Sequence, residues 1–435
     1  ANEIRQLDLD LVRELIALRD APHEAGQQSR AAAAESPQDL VRVPQTEAEQ
    51  SRLIEAGTLG EALLRQGKVA AVLVAGGQGS RLGFDAPKGV FPIGPVSERT
   101  LFQVLCEQIA ERSNLAGAAI PYLIMTSAAT HAETVEFFQQ QDFFGLGEEN
   151  VFFFQQASLP AIDDASPRIL MSSKHSLALS PDGHGGMLRA LRQSGLLQQM
   201  ANRGIEHFYY HQVDNPTAIV CDPVFLGLHA SSNSEMSTKV VAKVSPEERM
   251  GVVVTIDGQT QIIEYSDLTP EESRRQDASG DLIFWAGNTA IHAFRLDFLQ
   301  RLTATTISLP FHIAHKPVAH VGTDGSVVPA VPSQPNANKF EQFIFDALPQ
   351  ANVALVQEAD RAREFNPVKN AEGNDSPATS RAALNRIARE WAEAAGCEVA
   401  ESVQLEVSPL FALDAEKFAQ RVPAGTRFTE DQILS

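Results

Sequence analysis

From Val69 to Ala75 the chain runs through seven residues without a polar side chain, then breaks into Gly76, Gly77 and Gly79, with Arg81 and Lys88 close behind. Continuous apolarity of this kind predicts a parallel strand covered on both faces, and the glycines let backbone N–H groups approach an anion closely. Arg81 and Lys88 add charge beside that cradle. A turn between a strand and a helix accounts for the glycines but not for the two cations. The spacing is not that of a kinase-type phosphate loop, which needs Gly-Lys-Ser/Thr after four intervening residues. It also departs from the dinucleotide fingerprint, because Leu82 stands where the third glycine belongs.

The chain's 435 residues exceed one ordinary core, so two or three domains are expected. No window of eighteen apolar residues is present to span a membrane, and no secretory signal is visible at Ala1–Arg5. Cys106, Cys221 and Cys397 are odd in number and far apart, which suggests reduced thiols in a cytoplasm rather than a disulfide frame or a zinc site. A net charge of −20 argues against nucleic acid as a partner, since Lys and Arg supply phosphodiester affinity. Any phosphate ligand must be held by a few cations in one cleft, where short range outweighs the screened global field.

Three regions separate along the chain. Residues 1–67 read as a helical N-terminal region: Leu7, Leu11, Leu15 and Ile16 recur at helical spacing, residues 21–37 break the pattern, and Thr46-x-x-Glu49 forms a capping-box signature opening a helix that Gly67 closes. Residues 68–350 alternate strands with helices, the pattern of a central mixed, mostly parallel sheet with helices on both faces. Strands are expected at 69–75, 121–126, 151–154, 207–213 and 282–292, and Leu101, Leu105 and Ile109 mark a helix. Residues 351–435 read as a small C-terminal domain with a helix through Leu384, Ile387, Ala388, Trp391 and Ala395 that stops at Gly396.

Ligands of open α/β sheets bind at the carboxyl ends of the strands, so the loops there matter most. Gln156 follows the aromatic strand at 151–154. Pro181-Asp182-Gly183-His184-Gly185-Gly186 is a second glycine-rich loop opening a helix. The strand at 207–213 ends in Asp214-Asn215, and a hard carboxylate beside a phosphate site suits Mg²⁺, which shares its coordination with the substrate. The alternative for Asp-Asn is an Asx turn leaving the strand. His207 and His211 alternate with core residues and read as strand histidines. Gly251 precedes an apolar run, Glu264 and Asn288 sit in later loops, and Phe343 and Phe345 have the period-two spacing of one strand face.

The segment Gly-Gly-Gln-Gly-Ser-Arg-Leu-Gly followed by Pro87-Lys88-Gly89 resembles the signature of the eukaryotic-type UDP-sugar pyrophosphorylases, the family of uridylyltransferases that includes the UDP-N-acetylhexosamine enzymes. The likeness extends over residues 69–384 through Gln156, the Pro-Asp-Gly-His loop, Val-Asp-Asn at 213–215, Gly251-Val-Val, Ile-Glu-Tyr-Ser at 263–266, Gly-Asn at 287–288, Pro335–Asp346 and Glu364-Phe-Asn-Pro-Val-Lys-Asn. It implies a Rossmann-like nucleotidyltransferase fold that joins UTP to a sugar 1-phosphate, releasing a UDP-sugar and pyrophosphate with Mg²⁺. It further implies Ala75, Gly76, Gly77, Gln156, Gly183 and Asp214 on the nucleotide. His184, Gly251, Glu264, Asn288, Phe343 and Phe345 would lie on the sugar, Arg81, Lys88 and Lys369 on phosphate charge, and Asp214 on the metal. His184 replaces the Asn of the N-acetylhexosamine branch with the residue of the UDP-glucose enzymes, whereas Pro335–Asp346 follows the N-acetylhexosamine pattern; both N-acetylglucosamine 1-phosphate and glucose 1-phosphate therefore stand as substrates. A catalytically silent nucleotide-sugar sensor of the same fold is the alternative. It would be marked by loss of Arg81, Lys88, Asp214 or Lys369, and all are present.

Overall fold

The computed structural model describes residues 8–21, 26–304 and 309–435, with backbone alone at 26–29. Among them, the strands of the principal sheet are β1 (Leu40–Val41), β2 (Val69–Val74), β3 (Tyr122–Thr126), β4 (Val151–Gln155), β5 (His207–Gln212), β6 (Met236–Ala242), β7 (Val252–Ile256), β8 (Gln259–Ile263), β9 (Ala286–Arg295) and β10 (Ala354–Glu358). The strand order is β1-β10-β6-β9-β5-β2-β3-β4, with the β7–β8 hairpin hanging from β9. Along that path β9 alone runs antiparallel to its neighbours. The sheet is thus mixed and mostly parallel. β2, at its centre, is buried along five of its six residues, as continuous apolarity dictates.

One core cluster packs Val72, Phe208, Tyr210 and Phe294 on one face of this sheet, and another packs Leu73, Tyr122, Tyr209 and Ile124 on the opposite face. The helix Leu101–Ala116 covers the latter with Leu101, Leu105 and Ile109, all fully buried. The sheet draws strands from outside residues 68–350: β1 comes from the N-terminal region and pairs with β10, which follows Gln350. A separate cluster around Ala392, Leu405 and Phe418 forms the core of the C-terminal module. Glu406 of that module accepts the Val96 and Ser97 N–H groups, each at 2.8 Å, and so anchors the segment beyond Lys88.

The N-terminal region is helical where described, in α1 (Leu9–Asp20) and α3 (Glu47–Arg65), and it packs onto the body of the protein. Leu11 and Leu15 enter a cluster with Leu159, Ile162 and Phe340; Leu7 lies outside the described residues. The Thr46–Glu49 capping box forms and Gly67 adopts φ 65° just past α3. The interruption expected over residues 21–37 is only partial, because Gly26–Ala33 forms a helix, α2. Its alanines favour helix, and Ala31 is buried with Ala34 against β7 residues Val254 and Ile256. α3 crosses the helix α4 (Pro223–Ser231) at unusually close range, where Gly60 lies against the Pro223 carbonyl and Gly227 against the Ala56 carbonyl; a Cβ at either glycine would overlap that oxygen.

Two expected elements are displaced. The last large strand begins at Ala286 rather than Leu282, since Ile283 and Phe284 owe their apolarity to packing beneath the β7–β8 hairpin. Phe343 and Phe345 are not on a strand: the strand Ala337–Glu341 ends before them, and Ile344–Gln350 winds as a 3₁₀ segment. The physical reason lies in the glycine loop. Gly185 N–H donates to Gln342 O at 2.7 Å, Gln342 N–H donates to Asp182 O at 2.8 Å, and Ile344 N–H donates to His184 Nδ1 at 3.1 Å, so these backbone groups serve the loop and not a sheet.

Candidate active site

The glycine loop leaves the carboxyl end of β2 and is braced from below. Ala75, buried, donates its N–H to Met125 O at 2.8 Å, and Ser127 Oγ donates to Gly76 O at 2.8 Å. A Cβ on Gly76 would collide with Gln156 Oε1, so the absent side chain is what lets the Gln156 carboxamide lie against the loop. Gln156 Nε2 donates to Asp182 Oδ1 at 3.4 Å and to Gly183 O at 3.3 Å. Gly76, Gln156 and Gly183, drawn from three separate segments, therefore share one wall. Gly77 is open on the side a Cβ would occupy, and its carbonyl accepts the Lys88 N–H at 3.1 Å.

Lys88 is folded back to the strand ends. Its Nζ lies 3.3 Å from Asp214 Oδ2, with both side chains less than one-fifth exposed. Asp214 follows β5, whose neighbour β2 accepts the Val213 N–H through Val74 O at 3.1 Å. Arg81, on the short 3₁₀ turn Ser80–Leu82, is exposed and has no ion-pair partner among the described residues. Of the three expected phosphate cations it is the one that the fold leaves apart. Lys369 Nζ is 4.0 Å from Asp375 Oδ2 and 5.1 Å from the Phe365 ring centroid, two-fifths exposed.

A clasp that the sequence did not reveal joins the Asp214 and Lys369 loops. The buried Asn215 donates Nδ2–H to Glu364 O at 2.7 Å and accepts the Asn366 N–H at 3.2 Å, while Val368 N–H donates to Asp214 O at 2.8 Å. Behind it, fully buried Lys239 on β6 donates to Asp222 Oδ2 at 2.6 Å and Glu364 Oε2 at 2.5 Å. A lysine in an apolar strand carries no sequence signal of this partnership, because its carboxylates come from the cap of the preceding helix and from a short helix 125 residues on.

The expected sugar residues fall in two groups that meet. Asn288 N–H donates to Gly251 O at 2.8 Å, and a Cβ on Gly251 would come within 2.8 Å of Glu264 Oε1. Burial raises the Glu264 carboxyl, Asp267 and Asp346 add to the rise, and His312 and Lys369 oppose it, which brings these charges into one neighbourhood. In the second group the His184 ring stacks on Phe343 at 5.3 Å and lies 5.7 Å from Phe345, so both phenylalanines pack against the second glycine loop although neither is on a strand. Burial, reinforced by His312, lowers His184 to about 4. The ring is neutral at pH 7; since Nδ1 accepts from Ile344, the proton sits on Nε2. Burial also pushes the Asp182 carboxyl up to about 7, with Arg189 and the Gln156 hydrogen bond opposing it.

Among the described residues no group of three or more His, Cys, Asp or Glu side chains could hold a metal ion. Asp214 offers one carboxylate at the strand end, which fits a Mg²⁺ ion that takes one or two protein oxygens and completes its shell with substrate phosphates and water. Cys106, Cys221 and Cys397 are free and buried, and no described helix is long and apolar enough to cross a membrane. His207 and His211 are buried on β5; His211 Nε2 pairs with Tyr122 Oη at 3.1 Å, whereas each histidine's Nδ1 lacks a partner among the described residues.

A glycine loop after the central strand, a second glycine loop braced against it, and amide, carboxylate and aromatic groups on the adjoining segments suit a nucleotidyltransferase acting on nucleotide sugars. The chain belongs to the UTP–glucose-1-phosphate uridylyltransferase family, whose pattern it matches over residues 27–432. It is 38% identical over 371 residues to the UDP-N-acetylglucosamine pyrophosphorylase of Saccharomyces cerevisiae, covering 83% of this chain and 77% of that protein. To the UDP-N-acetylhexosamine pyrophosphorylase-like protein 1 of Homo sapiens it is 39% identical over 338 residues, 76% of this chain and 66% of that one. The crystal structure of the uridine diphosphate N-acetylglucosamine pyrophosphorylase of Trypanosoma brucei in complex with an inhibitor superposes with a TM-score of 0.81 at 26% identity, over 97% of this chain and 89% of that chain.

Proposed function

We propose that the enzyme joins UTP to N-acetylglucosamine 1-phosphate, with glucose 1-phosphate as a slower substrate. A phosphate oxygen of the sugar 1-phosphate attacks the α-phosphorus in line, the bond from that phosphorus to the bridging oxygen breaks, and pyrophosphate leaves. The attacking group is already an anion, so no side-chain nucleophile is needed and catalysis is positioning plus neutralisation of charge. Ala75, Gly76, Gly77, Gln156 and Gly183 hold the nucleotide; Lys88 and Lys369, with Arg81 from the exposed turn, act on phosphate charge. Asp214 would hold Mg²⁺ together with the substrate phosphates, and the ion when bound offsets charge on the departing pyrophosphate.

The observation that carries this reading is the clasp at Asn215, which joins the loop of the Lys88–Asp214 pair to the loop of Lys369, while Lys369 also bears on the Glu264 carboxyl. Such a span suits a substrate whose phosphates lie at one end and whose sugar lies at the other. Gly251, Glu264, Asn288, Phe343 and Phe345 read the sugar, and His184 contributes one Nε2–H donor, suited to a carbonyl such as that of an acetamido group. The similarity to UDP-N-acetylglucosamine pyrophosphorylases supports the same choice. The similarity to proteins named UDP-N-acetylglucosamine pyrophosphorylases speaks against a catalytically silent sensor. Three buried, unpaired thiols suit a reducing compartment, the cytoplasm. The test is an initial-rate panel of UTP with glucose-, galactose-, N-acetylglucosamine- and N-acetylgalactosamine 1-phosphate, with and without Mg²⁺, read by pyrophosphate release. N-acetylglucosamine 1-phosphate should lead and every rate should require Mg²⁺; absence of release from all four refutes the reading.

A further inference from the structure

His312 and Asp346 belong to neither glycine loop, and the reaction described above gives them no part. His312 opens the strand His312–Lys316, which pairs antiparallel with Ala337–Glu341. Its Nε2 lies 2.7 Å from Asp346 Oδ2, and its ring centroid is 4.5 Å from that of Phe343. The Asp346 side chain is 14% exposed and that of His312 one-third exposed, and among the described residues the His312 side chain hydrogen-bonds through Nε2 alone, leaving Nδ1 without a partner. A carboxylate on one ring nitrogen fixes both the tautomer and the plane of an imidazole, and it leaves the other nitrogen free to meet a ligand. The imidazole stands beside Phe343, the ring that stacks on His184, and within the electrostatic reach of Glu264 and Asp267.

The surroundings select the ligand. Asp346, Asp267 and Glu264 make this corner anionic, which disfavours a phosphate group. A phenyl face, carboxylates and an oriented imidazole suit a ring that carries hydroxyls on its edge and C–H bonds on its face. We propose that His312, oriented by Asp346, is an additional sugar-recognition residue whose Nδ1 hydrogen-bonds a ring hydroxyl of the hexose. The proposal rests on the uridylyltransferase reading for the identity of the hexose carrier. The competing role is a pin that holds the Ile344–Gln350 turn and touches no ligand.

Equilibrium binding separates the two without requiring turnover. UDP and UDP-N-acetylglucosamine are titrated calorimetrically into the wild-type protein, His312→Gln and His312→Asn. A Gln carboxamide reaches the place of Nε2 and keeps the Asp346 contact, whereas an Asn carboxamide stands in for Nδ1. His312→Gln should lose roughly tenfold to a hundredfold in affinity for the UDP-sugar, the range of one hydrogen bond to a charged or charge-backed group. Its affinity for UDP should change less than twofold, and His312→Asn should recover most of the loss. Equal weakening toward both ligands in His312→Gln, or no weakening toward either, overturns the proposal. UDP-hexoses deoxygenated at one ring position at a time, titrated against the wild type, need no variant to fold: one position must cost about tenfold, and losses below twofold at every position also overturn it. Wild-type turnover is measured separately with UTP and sugar 1-phosphates, so a failed reaction reading is not confused with a failed pair.

Discussion

Replacing Lys239 with Met removes a cation at a place where the fold has enclosed three charges together. Its ammonium is fully buried and is the shared donor to Asp222 and Glu364 at 2.6 and 2.5 Å. Met fills similar volume, so the loss is of charge and hydrogen bonds rather than packing. Breaking a buried pair by removing one member costs about 3–5 kcal/mol, because the remaining charge has no compensation. Here two carboxylates are left facing each other, with only the Arg112 and Arg363 fields nearby. The upper end of that range is therefore expected at pH 8. Burial already raises the Glu364 carboxyl in the wild-type protein, and loss of Lys239 should raise it further. A carboxyl with a raised folded-state pKa takes up a proton on folding, so the penalty is complete above that pKa and fades as pH falls toward the unfolded value. Urea unfolding followed by the fluorescence of Trp285 and Trp391 at pH 8 and pH 5 measures both quantities. A loss below about 1 kcal/mol at pH 8, against the range for a broken buried pair, refutes the argument, as does a loss that is the same at pH 5. The neutral combination Lys239→Met, Asp222→Asn, Glu364→Gln should recover most of the stability.

The remaining expectations concern the site itself. Lys88→Ala and Lys369→Ala should keep the wild-type circular dichroism spectrum and lower kcat on the order of a hundredfold to a thousandfold, the cost of removing one transition-state donor; near-wild-type kcat in either removes it from the phosphate clamp. Asp182→Asn mimics the protonated form of a carboxyl held near 7 in the fold and near 3.8 unfolded. Its ionisation burdens the native state increasingly from pH 4 to 7 and fully above, so the variant's Tm relative to wild type should rise across that interval and level off beyond it; a pH-independent difference contradicts the assignment.

Local signals were read well where one short segment carries its own reason. The Thr46–Glu49 box, the Gly67 stop, the β2 apolar run and its glycine loop need only neighbours in sequence, and all formed as expected. The approach of Gly76, Gln156 and Gly183 followed from the rule that ligands gather at strand ends. What escaped was decided by partners on other segments of the chain. Phe343 and Phe345 look like strand residues until Gly185 and His184 claim the backbone of Gln342 and Ile344. Leu40–Val41 is too short to announce a strand and is one because β10 offers an open edge. Arg81, an equal of Lys88 in the motif, stands on an exposed turn, whereas Lys88 meets Asp214. His312 and Lys239 gave no sign, since each acquires meaning only from a carboxylate supplied by another segment.

The crossing of α3 and α4 carries a cost for the freedom of this chain to vary. Asp222 caps α4 by accepting the Val224 N–H at 2.9 Å through one oxygen and grips Lys239 with the other. The height at which α4 rests on α3 is set by the missing side chains of Gly60 and Gly227, each facing a carbonyl of the opposite helix. A methyl group at either position displaces the helix whose first turn steadies Lys239, Glu364 and, through Asn215, the loop of Lys369. In a library of random variants these two glycines would be depleted as sharply as residues that meet a substrate. Tolerance to mutation is thus a poor map of chemistry in this protein: some of its least replaceable atoms are hydrogens on a helix that no ligand visits.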